Sequence, residues 1–374
     1  MREYLAYIYI FVASVLLVSG CDKHRHIDPV PEDAYISFKF NLAEKTKSLI
    51  NPDSQTSNFQ TAGSTITLYD VFTPGTGDAG QQNAVNLIQY LDEQNLRCNG
   101  ADWIFTKSKT DNTEVKIPWT KSGQHDFFAH NSYDAASGQS IPYPVGYSSF
   151  EDNSTANTTG KHQYFRIPAS GDLTLTTSNN QFDFLYSSKN RDVLVEGNKQ
   201  VEMDFKHLFA AVYFEVKNIS QSPMRLNSFS LGGIKDKGNA EITYNGNVTL
   251  SLSATQASAL FEQNPNKELK TGESYVIYSG CGAGQAFLIW PHTIADFANA
   301  SFKISYNLGR KNNGTWNAAT EKEIKLSGAD SPYKVNNWAA GSVYKYYITV
   351  SDEKISLSVI RVIDRIDDDV ILEE

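Results

Sequence analysis

The chain has 374 residues and carries 33 Lys and Arg against 42 Asp and Glu, a formal net charge of −9 at pH 7. That acidic balance argues against a nucleic-acid partner, because phosphate backbones are held by basic patches. Tyr and Phe number 20 each while Met numbers 3, and Thr, Ser, Asn and Gly are plentiful. This is the balance of an exported all-β protein, whose aromatic and β-branched residues fill half-buried strands.

In chain order, Tyr4 to Val18 is an uninterrupted apolar, aromatic and small-residue run behind Arg2. At about 1.5 Å per residue, a helix of that length falls short of a hydrocarbon core of roughly 30 Å. It therefore reads as the apolar region of a signal peptide covering residues 1–20. The segment Leu17-Val18-Ser19-Gly20-Cys21 resembles the lipobox of bacterial lipoproteins, with Cys21 as the lipid acceptor. Several acyl chains on one cysteine hold firmly where a single chain would not, so a cell envelope is the expected address. No second apolar run approaches the length of a span. The other cysteines, Cys98 and Cys281, do not make a disulfide framework.

Residues 21–33 read as a lipidated polar tether. His24 and His26 within it have no clustered ligand candidates beside them, so no metal is expected. Short strands follow. Tyr35–Leu42 and Thr65–Tyr69 alternate with period two. Asp102–Thr106 and Glu114–Trp119 flank a turn-like stretch and predict a hairpin. Residues 129–163 read as long loops, and helical periodicity occurs only at 84–93 and 254–263. Later strands are expected at Val201–Phe205, Ala210–Val216, Leu226–Leu231, Val248–Leu252, Ser274–Tyr278, Ala286–Trp290, Ser301–Tyr306, Glu323–Leu326 and Tyr344–Val350.

Strands at that spacing predict an all-β fold of two tandem antiparallel β-sandwich domains. The expected divisions are 34–198, 199–354 and a terminal segment 355–374.

The catalytic motifs are absent: no GxSxG elbow, HExxH, P-loop or CxxC occurs. Tyr278–Gly284 could be read as a glycine-rich loop presenting Cys281, with His292 as its base. It joins two strand-like runs and opens no helix, so a hairpin connection is the better reading. Asp367–Asp369 lacks the spaced ligands of a calcium loop. No catalysis, cofactor or metal is expected.

Several segments together resemble the fimbrillin family of Bacteroidetes, the subunits of type V pili. They are Phe205-Lys206-His207 leading into Ala210–Val216, Trp338-Ala339-Ala340-Gly341 leading into Tyr344–Val350, and the carboxyl-terminal run Ile355–Asp364. The resemblance implies transthyretin-like, Greek-key sandwiches and lipoprotein transport to the outer membrane. It also implies assembly by strand exchange with other fimbrial subunits. The strand to be displaced would present Ile36, Phe38, Phe40 and Leu42 to the core. The donor would be the terminal segment, with Ile355, Leu357 and Val359 on one face and Ile360, Val362 and Ile366 on the other.

Two departures stand out. Family subunits are typically cut after an arginine beyond the first strand, yet none lies between Arg25 and Arg97, and Lys45 and Lys47 stand nearest. Where the terminal segment often carries a tryptophan, this chain has Arg365. The implied role is a structural subunit of a surface fimbria, serving adhesion or biofilm formation and meeting a host or bacterial receptor. The alternative is a surface lipoprotein that binds glycans through Trp103, Trp119, Trp316 and Trp338.

Overall fold

The computed structural model describes residues 34–42, 62–73, 88–108, 110–120, 123–134, 139–140, 146–147, 164–175, 183–192, 199–243, 246–253, 261–277, 286–293, 299–326, 337–363 and 370–372. Among the described residues every regular element is a strand, and the fold is all-β.

The first strands are β1 (Phe38–Leu42), β2 (Thr65–Thr73), β3 (Ile88–Cys98), β4 (Trp103–Thr106), β5 (Gln124–Asp134) and the short β6 (Gln139–Ser140). They are followed by β7 (Gly146–Tyr147), β8 (Tyr164–Ile167), β9 (Leu173–Thr174), β10 (Leu185–Asp192), β11 (Val201–His207) and β12 (Ala210–Asn218). Next come β13 (Met224–Gly232), β14 (Lys237–Thr243), β15 (Val248–Leu252), β16 (Phe261–Gln263), β17 (Lys267–Leu269) and β18 (Ser274–Ile277). The chain closes with β19 (Phe287–Ile289), β20 (Ser301–Leu308), β21 (Ala319–Lys325), β22 (Ser342–Val350), β23 (Ile355–Ile363) and β24 (Val370–Leu372).

Four sheets result. The first runs β1-β11-β10-β5-β2-β3-β4, with β6 on β5. Its end strands come back together, because residues 113–119 pair with β4 at one end and with the start of β1 at the other. Val115 N donates to Phe105 O at 3.0 Å, Ile36 N to Ile117 O at 2.8 Å and Trp119 N to Ala34 O at 3.0 Å. This strap turns an open sheet into a near-closed barrel and covers both of its edges. The second sheet is β18-β12-β22-β23-β24 with β19 on β12, the third β16-β13-β20-β21 with β17 on β13, and the fourth β15-β14-β8-β7 with β9 on β14.

Alternation explains the faces. Along β11, Val201, Met203, Phe205 and His207 are buried while Glu202, Asp204 and Lys206 are exposed. Several strands are instead buried on both faces, β2 and β12 among them. Ile66 and Leu68 of β2 enter the barrel core, which also holds Phe105, Phe127, Met203 and Phe205. Tyr69, from its opposite face, joins a middle core with Phe128, Phe165, Leu208, Phe209, Ala211 and Trp290. Strand β12 repeats the device: Ala211 and Tyr213 face that middle core, while Val212, Phe214 and Val216 face a third. The third core lies between the second and third sheets, around Phe229, Phe302 and Tyr346.

The structure departs from the sequence expectation in several places. Among the described residues pairing is antiparallel except for β1 with β11 and β12 with β22, which are parallel. Parallel neighbours need long crossover connections, and these partners are far apart in the chain. Strand β5 occupies part of the stretch expected to be loop. The helical signal at 84–93 runs into β3, where Glu93 has φ 48°. The β2–β3 register shifts between Leu68 and Asp70 and again between Asp70 and Val71. A bulge of this kind breaks the two-residue period and imitates a helical one. Division by position and division by sheet also differ. Strand β11, beyond residue 198, belongs to the first sheet, whereas β8, before it, pairs with β14.

Candidate functional site

The first strand offers its two faces to different surroundings. Ile36, Phe38 and Phe40 are each at most 3% exposed, while Tyr35 is 47% exposed and Ser37 and Lys39 face solvent. The Phe38 ring lies 5.3 Å from Phe40, 5.8 Å from Phe105 and 5.1 Å from Phe127. Phe40 meets Trp103 and Phe205 at 5.1 and 5.4 Å, both edge-on. Burying each such side chain contributes roughly 1.5–3 kcal/mol, so the strand is held chiefly by its apolar face. Leu42 ends the strand opposite Phe205; its side chain lies outside the described set.

Two walls flank this strand. On one side β11 pairs in register from Phe38 with Val201 to Leu42 with Phe205. Val201 N donates to Ser37 O at 2.8 Å, and Gln200 Nε2 donates to Phe38 O at 2.9 Å. The Lys39–Glu202 ion pair, 3.1 Å long, is exposed and adds little. On the other side stands the strap, with the Lys116 ammonium 5.3 Å above the Tyr35 ring.

The terminal segment forms a hairpin. Strand β23 pairs with β22 from Val350 with Ile355 to Ser342 with Ile363, and β24 adds to β23 over Val359–Arg361. Leu357 is buried and packs with Ile355 on the third core. Val359, Ile360 and Val362 lie in β23 at alternating register positions. Ile366 is outside the described residues, as are Cys21, Lys45, Lys47, Cys281, His24, His26 and Asp367–Asp369.

The motif residues are structural fastenings. His207 Nδ1 pairs with Asp183 Oδ1 at 2.7 Å in the buried joint between β11 and β10. Asn131 continues the joint, giving Nδ2 to Asp183 O and accepting Leu185 N, both at 2.8 Å. Trp338 is fully buried. Its indole Nε1 donates to Tyr346 Oη at 2.9 Å, and Ala339 N donates to Tyr344 Oη at 2.9 Å. Burial pushes the Tyr346 hydroxyl pKa far up. Gly341, at φ 72°, sends its N–H to Phe209 O at 2.8 Å. A glycine suits that left-handed position, so the Trp-x-x-Gly spacing follows from the turn.

His292 is committed to the core. Its Nε2 accepts Lys235 N at 3.0 Å and its Nδ1 lies 2.5 Å from Trp290 O.

Sequence reasoning did not single out a chain of three groups, two of them fully buried. Asp70 Oδ2 lies 2.5 Å from His125 Nδ1, and His125 Nε2 lies 2.9 Å from Thr120 Oγ1. Burial raises the Asp70 carboxyl to about 6, against the opposing pull of His125, with Asp126 adding to the rise. Tyr90, above the same pair, is raised by burial and then by the charge of Asp70. Period-two burial of His125 beside Phe127 and Ala129 was the available signal.

A family model described as fimbrillin-like matches residues 54–363. The chain belongs to the fimbrillin-like family. Among solved structures, a fimbrial protein from Bacteroides vulgatus matches this fimbrillin-like chain with a TM-score of 0.54 at 11% identity, covering 89% of it and 100% of that chain. A candidate cell adhesion protein from Bacteroides uniformis gives 0.45 at 13% identity, covering 90% and 100%. The fimbrial anchor protein Mfa2 from Porphyromonas gingivalis gives 0.33 at 11%, covering 90% and 98%. No curated protein matches the sequence. Membership in the fimbrillin-like family carries a fimbrial or adhesion-related role at the cell surface, in association with other fimbrial subunits and without catalysis.

Proposed function

We propose that this fimbrillin-like protein is a structural subunit of a type V fimbria, assembled by exchange of β-strands and serving adhesion or biofilm formation. One observation carries the reading. The first strand fills a core slot between two walls, β11 and the strap, that belong to distant parts of the chain. An element so placed leaves a continuous apolar groove when removed, and another extended segment can refill it with the same alternation. Ile355, Leu357 and Val359, with Ile360, Val362 and Ile366, supply such an alternation in the terminal segment.

Cys21 anchors the precursor to the outer membrane through its lipid, and cleavage after Lys45 or Lys47 would free the first strand. Amino-terminal sequencing of the surface-assembled form tests this. A start after either lysine marks a processed pilin, whereas a blocked Cys21 marks an uncut, anchored subunit. Deleting 355–374 should leave an exported monomer but abolish polymer ladders on heated, non-reduced gels. Unchanged ladders would overturn the donor assignment.

The glycan-binding alternative draws less support. Trp119, Trp290 and Trp338 are buried, and among the described residues the exposed large apolar side chains are Tyr35, Ile219 and Val248. Trp316 is half-buried beneath the Arg310 guanidinium, 4.1 Å from its ring. A flat sugar-stacking face is not formed by these rings.

A further inference from the structure

The strap is a shallow element with a demanding position. Of residues 113–120 only Trp119 is buried; Val115, Ile117 and Thr120 are half-buried and the others exposed. Pro118 has no N–H to offer, so the described backbone bonds to the first strand are those through Ile117 O and Trp119 N. A segment with so little burial is fixed by a few points. Tyr90 Oη donates to Pro118 O at 2.7 Å. The Trp119 ring packs 5.4 Å from His125 and 6.2 Å from Phe127. Thr120 Oγ1 meets His125 Nε2 at 2.9 Å, and Asp70 meets the far nitrogen of that imidazole. The imidazole is also wedged between rings, stacked on Phe127 at 5.6 Å and tilted against Phe72 at 4.9 Å.

We propose that residues 113–120 are a catch on the first strand, and that Asp70, His125, Thr120 and Tyr90 hold it shut. His125 cannot turn while Asp70 and the rings fix it, so its second nitrogen is a fixed post for Thr120. Thr120 and Tyr90 bracket Pro118 and Trp119, and these present the strap's edge to Ala34–Ile36. Loosening the post frees the strap end before it disturbs β11, because β11 is held by its own ladder to β10 and by Met203 and Phe205 in the core. The first strand then loses one of its two walls. This device belongs to the isolated chain and holds whether or not strands are exchanged in a fibre.

Amide hydrogen exchange on the full chain tests it, because local openings are read separately from global unfolding. In Thr120→Val, peptides covering 34–42 should exchange about three- to tenfold faster, the effect of losing one half-buried hydrogen bond in the local opening equilibrium. Peptides from β12, β20 and β22 should keep their rates. Thr120→Ser should restore the slow exchange, and Tyr90→Phe should reproduce the fast one by an independent route. If Thr120→Val does not fold, Tyr90→Phe carries the test alone. Unchanged exchange at 34–42 overturns the proposal. So does equal acceleration across all peptides, which would reduce these residues to general core packing. Ladder formation reads the fimbrial role and exchange reads the monomer, so either can fail alone.

Discussion

The first strand and the hairpin strand β23 lie near opposite ends of the described chain and are held by different physics. Strand β1 is short, runs parallel to its partner and depends on Phe38 and Phe40, with Ile36 just before them, sunk in a core. Strand β23 is longer, antiparallel and joined to β22 by the turn Ser351–Lys354, where Ser351 N donates to Lys354 O at 2.9 Å. The one is secured by burial against residues far away in sequence, the other by a local ladder. A local hairpin re-forms quickly after it opens, whereas a distant pairing must close a long loop first. Once opened, the first strand is therefore the slower of the two to return.

Five substitutions sharpen that contrast. Phe38→Ala removes a ring with three ring neighbours and should cost about 3–5 kcal/mol in denaturant unfolding. Leu357→Ala should cost about 2 kcal/mol, the low end for a buried leucine; equal losses would break the comparison. Asp70→Asn addresses the anchor of the strap. The folded carboxyl pKa, about 6, exceeds the value in an unfolded chain. Its contribution to stability is therefore full below about pH 4 and lost as pH rises through about 6, a span of about 3 kcal/mol. Thermal unfolding from pH 4 to 7 should show this fall in the native chain and a flatter profile in the asparagine variant. Trp338→Phe, beside the hairpin, removes the donor to the buried Tyr346 hydroxyl and should cost about 1–3 kcal/mol. Lys39→Ala, on the exposed face of β1, should change stability by about 0.5 kcal/mol or less, with exchange at 34–42 nearly unmoved.

What the sequence made legible was whatever alternates. The pattern at Ile36, Phe38 and Phe40 predicts the inward face of β1, and the structure buries those three. Trp338, Gly341, Tyr344 and Tyr346 were visible as a spaced set, and the turn at Gly341 with the two tyrosine hydroxyls accounts for the spacing. Strand β5 was missed because its His, Asn and Ser content hides an otherwise regular run. A helix was read at 84–93 because the bulge near Glu93 breaks the period. The pairs Asp70–His125 and Asp183–His207 join residues far apart in the chain, and no local pattern announces them. The strap was read as half of a hairpin with Asp102–Thr106, and it does lie against β4. Its second role, touching Ala34–Ile36, depends on the curl of the whole sheet.

The parallel pairing of β12 with β22 also bears on mechanics. Eight residue pairs, from Ala211 with Val343 to Asn218 with Val350, lie side by side. Tension applied between the start of β12 and the end of β22 pulls these strands past one another lengthwise. Every bond along the seam is then strained together, and none gives way first as it would in a zipper. Strand β12 also has buried side chains on both faces, so sliding it would drag two cores at once. Drag that acts between the start of β12 and the end of β22 therefore meets the whole seam in shear.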